Sequence, residues 1–299
     1  MKILLFGKNG QVGWELQRAL APLGELTALD RRGDDGLCGD LANTAGVAET
    51  VRRVAPDVVV NAAAYTAVDK AESEPDVARS INAAAPAALA KAAAAVGALL
   101  VHYSTDYVFD GSGTRPWREG DPTNPLSVYG GSKLEGEKAI VGSGCLHLIF
   151  RTSWVYAARG GNFAKTMLRL AQERDSLAVI DDQIGAPTSA ELIADVTAHA
   201  VTQTRIDPNL GGLYHLVARG ETSWHAYAGF VLQQAFASGV TLKVRPEAIA
   251  PIPSSAYQVA ARRPLNSRLD TELLTRSFGL SLPPWQDGVA RMLTEILDK

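Results

Sequence analysis

Met1-Lys2-Ile3-Leu4-Leu5-Phe6-Gly7-Lys8-Asn9-Gly10-Gln11-Val12-Gly13 opens the chain with an apolar run followed by glycines at Gly-x-x-Gly-x-x-Gly spacing. The stretch reads as a short buried strand, a glycine turn and the start of a helix, the layout of a pyrophosphate site for a dinucleotide. Gly7 permits the tight turn, Gly10 lets the backbone approach the phosphates, and Gly13 lets the helix pack closely on the strand. The unpaired N–H groups and positive dipole of the helix start then face the anion. Val12, Leu16, Ala19, Leu20 and Leu23 share one helical face, and Leu26 to Asp30 reads as a second strand ending in an acid. Asp30 lies 23 residues after Gly7, where a carboxylate meets an adenosine ribose. Glycines that merely close a turn are the competing reading, and the flanking strand, helix and acid weigh against it.

The 299 residues suffice for a large core divided into two lobes around a cleft. A hydrophobic fraction of 46%, a charged fraction of 20% and a formal charge of -3 leave no polybasic block, so neither nucleic acid nor a membrane surface is expected as a partner. No apolar stretch reaches the ~20 residues of a membrane span, and residues 3–6 are too short for a signal-peptide core. A cytoplasmic location is the expectation. Cys38 and Cys145 have neither metal-ligand spacing nor a Cys-x-x-Cys partner and read as small apolar fillers.

Strands and helices alternate through the first half. A helix spans Ala45 to Val54, a continuous apolar strand Val58-Val59-Val60-Asn61 follows, and the small residues Ala62-Ala63-Ala64 leave room for a ligand at its carboxyl end. Residues 74–97 read as helical, with Pro86 kinking or restarting the helix. Ala98 to Tyr103 is the fourth strand, with Ser104-Thr105-Asp106 at its exit, and a glycine- and proline-rich loop runs on to Val128. Tyr129-Gly130-Gly131-Ser132-Lys133 enters the next helix, so Tyr129 and Lys133 share a face. A cation beside a phenol lowers its pKa towards working pH, which suits a proton-donating tyrosine. Leu146 to Tyr156 reads as one strand containing Trp154, and the alternation becomes irregular after the helix from Ala190 to Val201. The expected division is a dinucleotide-binding domain over 1–157 and a mostly substrate-binding lobe over 158–299, with about 176–200 returning to the first.

Taken together, Gly7 to Gly13, Asn61-Ala-Ala-Ala, Ser104 to Phe109, Tyr129-x-x-x-Lys133, Arg151-Thr-Ser-Trp154 and Arg263-Pro264-x-Asn266-Ser267 resemble the extended short-chain dehydrogenase/reductases, and among them those that reduce 4-keto nucleotide sugars. The resemblance spans nearly the whole chain. It implies an α/β fold, a Rossmann-type doubly wound parallel sheet with a smaller C-terminal substrate lobe. The activity it implies is reduction of the C4 ketone of dTDP-4-dehydro-L-rhamnose with NADPH or NADH. By the same resemblance Thr105 holds the substrate oxygen, Tyr129 protonates it, and Lys133 binds the nicotinamide ribose and tunes Tyr129. Cofactor positions match Gly7, Gly10, Gln11, Val12 and Gly13 at the phosphates, Asp30, Asp40 and Leu41 around the adenosine, and Ala63, Ala64, Tyr65 and Tyr103 beyond it. Substrate positions match Thr105, Asp106, Tyr129 and Trp154. Some relatives bind Mg2+ between subunits, and Glu15, Glu191 and Glu295 stand at matching positions, so a homodimer and a shared metal join the expectations.

Competing readings remain for several of these residues. Thr105 fits an ordinary turn-capping threonine, Trp154 fits a core residue of an apolar strand, and the glutamates fit solvated helix charges. The five histidines read as structural. Another nucleotide-sugar reductase or epimerase, or a non-catalytic regulatory subunit of the same fold, would share the same framework. Tyr107 directly after Asp106 argues against a dehydratase, and a chain relieved of catalysis has no chemical need of Thr105, Tyr129 and Lys133 together.

Overall fold

The computed structural model describes residues 1–297, so the last two residues of the expected second lobe lie outside it. β1 (Lys2–Phe6) turns into α1 (Gln11–Leu20), followed by β2 (Glu25–Leu29), α2 (Thr44–Val54) and β3 (Val58–Asn61). Next come α3 (Val68–Ala71), α4 (Pro75–Arg79), α5 (Ala85–Val96), β4 (Leu99–Thr105), α6 (Val128–Gly142) and β5 (His147–Thr152). The remainder holds β6 (Val155–Tyr156), α7 (Phe163–Glu173), β7 (Leu177–Ile180), β8 (Ile184–Gly185), β9 (Thr188–Ser189) and α8 (Ala190–Ile206). After these lie β10 (Gly212–His215), β11 (Thr222–Ser223), α9 (Trp224–Ala237), β12 (Ile249–Ile252), α10 (Glu272–Phe278) and α11 (Trp285–Leu297).

Six strands form one parallel sheet in the order β2-β1-β3-β4-β5-β10. Both faces are covered, which is why the strands are apolar throughout rather than alternating. On one face Ile3, Leu5, Val60 and Val101 pack against Leu16 and Leu20 of α1, Ile193 and Val201 of α8, and Phe278 of α10. On the other, Leu4, Phe6, Val59 and Leu100 pack against Val47 and Val51 of α2, Leu89 and Ala93 of α5, and Ile140 of α6. The strand order reverses between β1 and β3, so a crevice opens at their carboxyl ends, where open α/β sheets bind ligands.

A second core forms the smaller lobe. Met167 and Leu168 of α7, Leu177 and Val179 of β7, Tyr227 and Val231 of α9, and Trp285, Val289 and Leu293 of α11 are buried together there. The lobes interleave along the chain differently from the sequence-based division. Within 176–200, α8 does return to the sheet, whereas β7 pairs with β12 in the outer lobe. β10 also returns, as the sixth strand beside β5. Gly212 to Leu216 reads as a short strand in the sequence, but its four residues Gly212-Leu213-Tyr214-His215 carry too little pattern to say which sheet they join.

Local chemistry accounts for two further departures. The alanine-rich helix is interrupted by a π-helical turn over Ser80–Ala84, immediately before Pro86 in the first turn of α5. A proline there forfeits no hydrogen bond, and the wider turn accommodates the break. The expected strand from Leu146 to Tyr156 is cut at Trp154, whose φ of 49° belongs to the left-handed region and cannot continue a ladder.

Helix α6 is tied to the sheet by a buried ion pair. Arg151 of β5 donates from Nε and Nη2 to the two carboxylate oxygens of Glu137 at 3.0 and 2.7 Å, with side chains only 4% and 3% exposed. Replacing Arg151 by Met strands a buried carboxylate and should cost about 3–5 kcal/mol in urea unfolding, and adding Glu137→Leu should recover most of that loss.

Candidate active site

The glycine turn closes against β3. Gly7 has φ of 90°, and a Cβ there would sit 2.8 Å from the Ala63 nitrogen, while one on Gly13 would sit 2.0 Å from the Gly7 carbonyl oxygen. A Cβ on Gly10, by contrast, meets nothing nearer than 3.5 Å, so this glycine leaves space on the open side rather than relieving a contact within the protein. Gly10 caps α1 without a side-chain partner, leaving the N–H groups of Gln11, Val12 and Gly13 free of intrahelical bonds. A cavity of about 470 Å³ begins here, lined by Gly7, Gly10, Asp30, Asp40, Leu41 and Tyr65, with Ala63 and Ala64 between. Asp30 accepts from the Arg32 amide at 2.8 Å and from Asn9 at 3.0 Å, and the amide bond holds its carboxyl below the usual range. Arg31 pairs with Asp40 at 3.3 Å, and Arg32 lines the cavity.

At the sheet's carboxyl edge, β4 runs two residues further than expected and carries Ser104 and Thr105 to its end. The Thr105 hydroxyl donates to Asp106 Oδ1 at 3.1 Å and accepts from the Tyr107 amide at 3.2 Å. Tyr129 stands in the first turn of α6, started by the Ser127 hydroxyl accepting from Gly130 N, with its ring edge-on to Tyr107 at 5.8 Å. Burial pushes the Tyr129 phenol up to about 12, and the Thr105 hydroxyl pulls it back. This corrects the expectation of a lowered phenol: loss of water outweighs any neighbouring cation. Burial likewise pushes Asp106 up to about 7, opposed by Ser267 and Thr105. Ser104 Oγ, Asp106 Oδ2 and Thr152 Oγ1 are buried without a hydrogen-bond partner, polar atoms that a ligand's hydroxyls would satisfy.

Lys133 is 2% exposed and donates to the Tyr103 carbonyl at 2.6 Å, with His102 Nε2 3.1 Å away. Burial lowers its ammonium to about 8, with Glu137 opposing. The Tyr103 side chain turns to α8, its hydroxyl 2.8 Å from Thr197 Oγ1, so this residue meets Lys133 through its backbone. His102, expected to be structural, touches Lys133 of α6 from β4, a contact that no local motif announces. Asn82, in the π-helical turn, donates to the Tyr65 carbonyl and to Ser132 Oγ, joining the loop after β3 to α6.

On the outer lobe, among α7, β7, α9, β12 and the loop after β12, a second cavity of about 1270 Å³ is lined by Gln183, Trp224 and Tyr257 and by Arg174, Arg262 and Arg263. Among the described residues lining it, none is acidic. Trp154 is not in its wall. It stacks behind Trp224 at 3.7 Å, in room that Gly185 leaves, where a Cβ would come within 2.8 Å of the indole. Sequence reasoning singled out Trp154 and overlooked Trp224, whose signal was weak because it lies in an apolar helix.

Glu15 pairs with Arg18 at 3.4 Å and Glu191 with Arg291 at 3.3 Å. Burial raises the Glu191 carboxyl, and the negative charges of Glu15 and Glu295 add to this. Even so, among the described residues no group of three or more His, Cys, Asp or Glu is gathered closely enough to hold a metal ion. The acids of one chain therefore do not by themselves fit Mg2+.

A family model described as "RmlD substrate binding domain" matches residues 1–297. The dTDP-4-dehydrorhamnose reductase of Shigella flexneri is 60% identical over 296 residues, 99% of this chain and 98% of that protein. This chain belongs to the dTDP-4-dehydrorhamnose reductase family. The dTDP-4-dehydrorhamnose reductase of Burkholderia thailandensis is 48% identical over the full length of both chains. The crystal structure of the dTDP-4-dehydrorhamnose reductase of Bacillus anthracis in complex with NADP superposes with a TM-score of 0.88 at 34% identity, covering 98% of this chain and 99% of that one. No helix among the described residues is long and apolar enough to cross a membrane.

The raised Asp106 carboxyl carries a pH signature. A folded pKa of about 7 against 3.8 in the open chain means that folding favours the protonated acid. Its contribution is complete below about pH 4 and is lost as pH rises through about 7. Asp106→Asn should therefore gain unfolding free energy relative to the wild type between pH 4 and pH 8, as measured by urea titration at each pH.

Proposed function

We propose that this chain reduces the C4 ketone of dTDP-4-dehydro-L-rhamnose to dTDP-L-rhamnose, using NADPH or NADH, as a cytoplasmic enzyme of nucleotide-sugar synthesis. The reading rests on one coincidence. Full-length similarity to reductases of that name accompanies buried Thr105, Asp106 and Lys133 with a half-buried Tyr129 at the sheet edge where such folds bind ligands. The nicotinamide, when bound, supplies the hydride. A phenol at about 12 stays protonated at neutral pH, so Tyr129 is loaded to donate its proton to the C4 oxygen. Thr105 holds that oxygen, and Asp106 Oδ2 takes a sugar hydroxyl. The glycine turn and the Asp30 cavity hold the dinucleotide, with Lys133 at its ribose. The arginines and the Trp224 and Tyr257 rings of the larger cavity suit a nucleoside diphosphate, with Trp154 bracing Trp224 at the sugar end. A non-catalytic role would leave the buried Thr105, Asp106 and Lys133 and the half-buried Tyr129 without purpose. The reading includes a homodimer, tested by sedimentation velocity, and assigns no step to Mg2+.

Cofactor choice follows from the opposed charges around Asp30. Its carboxylate accepts from a free 2′-hydroxyl, Arg31 is engaged by Asp40, and Arg32 remains to meet a 2′-phosphate. Both cofactors should serve, with kcat/KM differing less than ~100-fold in steady-state assays. For the proton donor, Tyr129→Phe should bind NADPH like the wild type in fluorescence titration yet turn over at least ~100-fold more slowly. Retention of most of the rate would assign the proton to another group.

A further inference from the structure

The buried polar chain behind Lys133 has a direction. The Ala63 amide can only donate, and it reaches Asn61 Oδ1 at 3.2 Å. That bond turns the Asn61 amide nitrogen towards His102, 3.1 Å from Nδ1. A neutral imidazole has one acceptor nitrogen and one donor. His102 is 1% exposed, and burial, the leading cause, pushes its pKa well below 6.5, so it is neutral whichever form Lys133 takes. With Nδ1 accepting from Asn61, the proton sits on Nε2, which faces Lys133 Nζ at 3.1 Å. An N–H needs a lone pair opposite it, and a lysine offers one only as the neutral amine.

We infer that Asn61 and His102 are positioning residues that set the charge of Lys133. Ala63 orients Asn61, Asn61 selects the Nε2–H tautomer of His102, and that N–H stabilises the Lys133 amine. The other groups facing Lys133 act in opposite senses. Glu137, one turn on along α6, favours the ammonium, but its charge is shared with Arg151 of β5. The Tyr103 carbonyl on β4 accepts from either form, and where Lys133 titrates Tyr129 is neutral and Asp106 is ionised. The consequence for the proposed reaction, on which this functional part rests, lies in the step after hydride transfer. Tyr129 has given its proton to the substrate oxygen and is a phenolate. The proton that refills it leaves Lys133 Nζ, and the amine that remains is the species that His102 Nε2–H holds. Ala63 also lines the dinucleotide cavity, so the tautomer is anchored on the cofactor side of the sheet.

Two NMR measurements on the protein without substrate or cofactor test this. In the ¹⁵N-histidine-labelled protein at pH 9, with His102 assigned by its loss in His102→Gln, Nδ1 should resonate as the unprotonated nitrogen and Nε2 as the protonated one. The reverse overturns the inference, and the resonances that decide it are read on the wild-type protein, His102→Gln serving only for assignment. In ¹³C-lysine-labelled protein, His102→Leu removes the N–H without changing charge, and the Lys133 titration should move up by about one pH unit or more. A downward movement, or none, would show that Nε2 accepts from an ammonium or that His102 is only a filler, and overturns it. Asn61→Asp, whose carboxylate can only accept, should reverse the tautomer; persistence of Nε2–H in that variant also overturns it. Because no substrate is present, failure here leaves the reductase reading standing, and failure of that reading leaves these spectra unaffected.

Discussion

The carboxyl edge of the sheet is organised by a backbone contact that admits no side chain. A Cβ on Gly13 would fall 2.0 Å from the Gly7 carbonyl oxygen, and one on Gly7 would collide with Ala62 and Ala63. Because β1, the start of α1 and the exit of β3 approach this closely, the unpaired N–H groups of α1 open onto the same crevice as the small residues after β3. The dinucleotide cavity, lined by Asp30 and Tyr65 among others, is the space left once that contact is made. Leu16 and Leu20 sink α1 into the core, so the helix start is held by packing and remains available to a ligand.

Helix α6 is the second fixed point, and besides the apolar contacts of Leu134 and Ile140 it is held by polar groups. Its sequence Val128 to Gly142 has little amphipathic character. Asn82 reaches Ser132, Gly136 lies against the Asn82 carbonyl, and Glu137 is bound by Arg151. A buried ion pair of this kind contributes modestly to stability compared with apolar packing, but it tolerates only one register. That register sets Tyr129 near Thr105 and Lys133 against His102 and Tyr103. The partners come from β4, β5 and the π-helical turn, elements far apart in sequence.

The smaller lobe supplies what the sheet lacks, a wide wall of arginines and aromatic rings. Segments of the second half alternate between the lobes, β7 and β12 in the outer one and α8 and β10 on the sheet, so the chain crosses between them several times. Arg263 ties the loop after β12 to α3 through Asp69, at 2.6 Å, which closes the larger cavity on the side of the first lobe. The stack of Trp154 on Trp224 braces the opposite side, and the strained backbone at Trp154 is the geometric cost of turning its ring there.

Much of the sheet was legible because its strands are short apolar runs punctuated by glycine, proline or acid, and because the glycine spacing and Asp30 announce a dinucleotide. Thr105, Tyr129 and Lys133 were legible for a similar reason: strand exits and i, i+4 spacing are local rules. By itself the sequence determined the fold class, the strands β1 to β5, the glycine site and the types of residue that carry the chemistry, since each depends on neighbours along the chain. The tertiary structure alone decided the rest: that β10 completes the sheet, that Trp154 breaks a strand to stack on Trp224, and that His102 meets Lys133. It also reversed the pKa expected for Tyr129. The physical reason is common to these. Burial and charge depend on which distant segments exclude water from a side chain, and a hydrogen-bond chain across two strands and a helix exists only once their register is set.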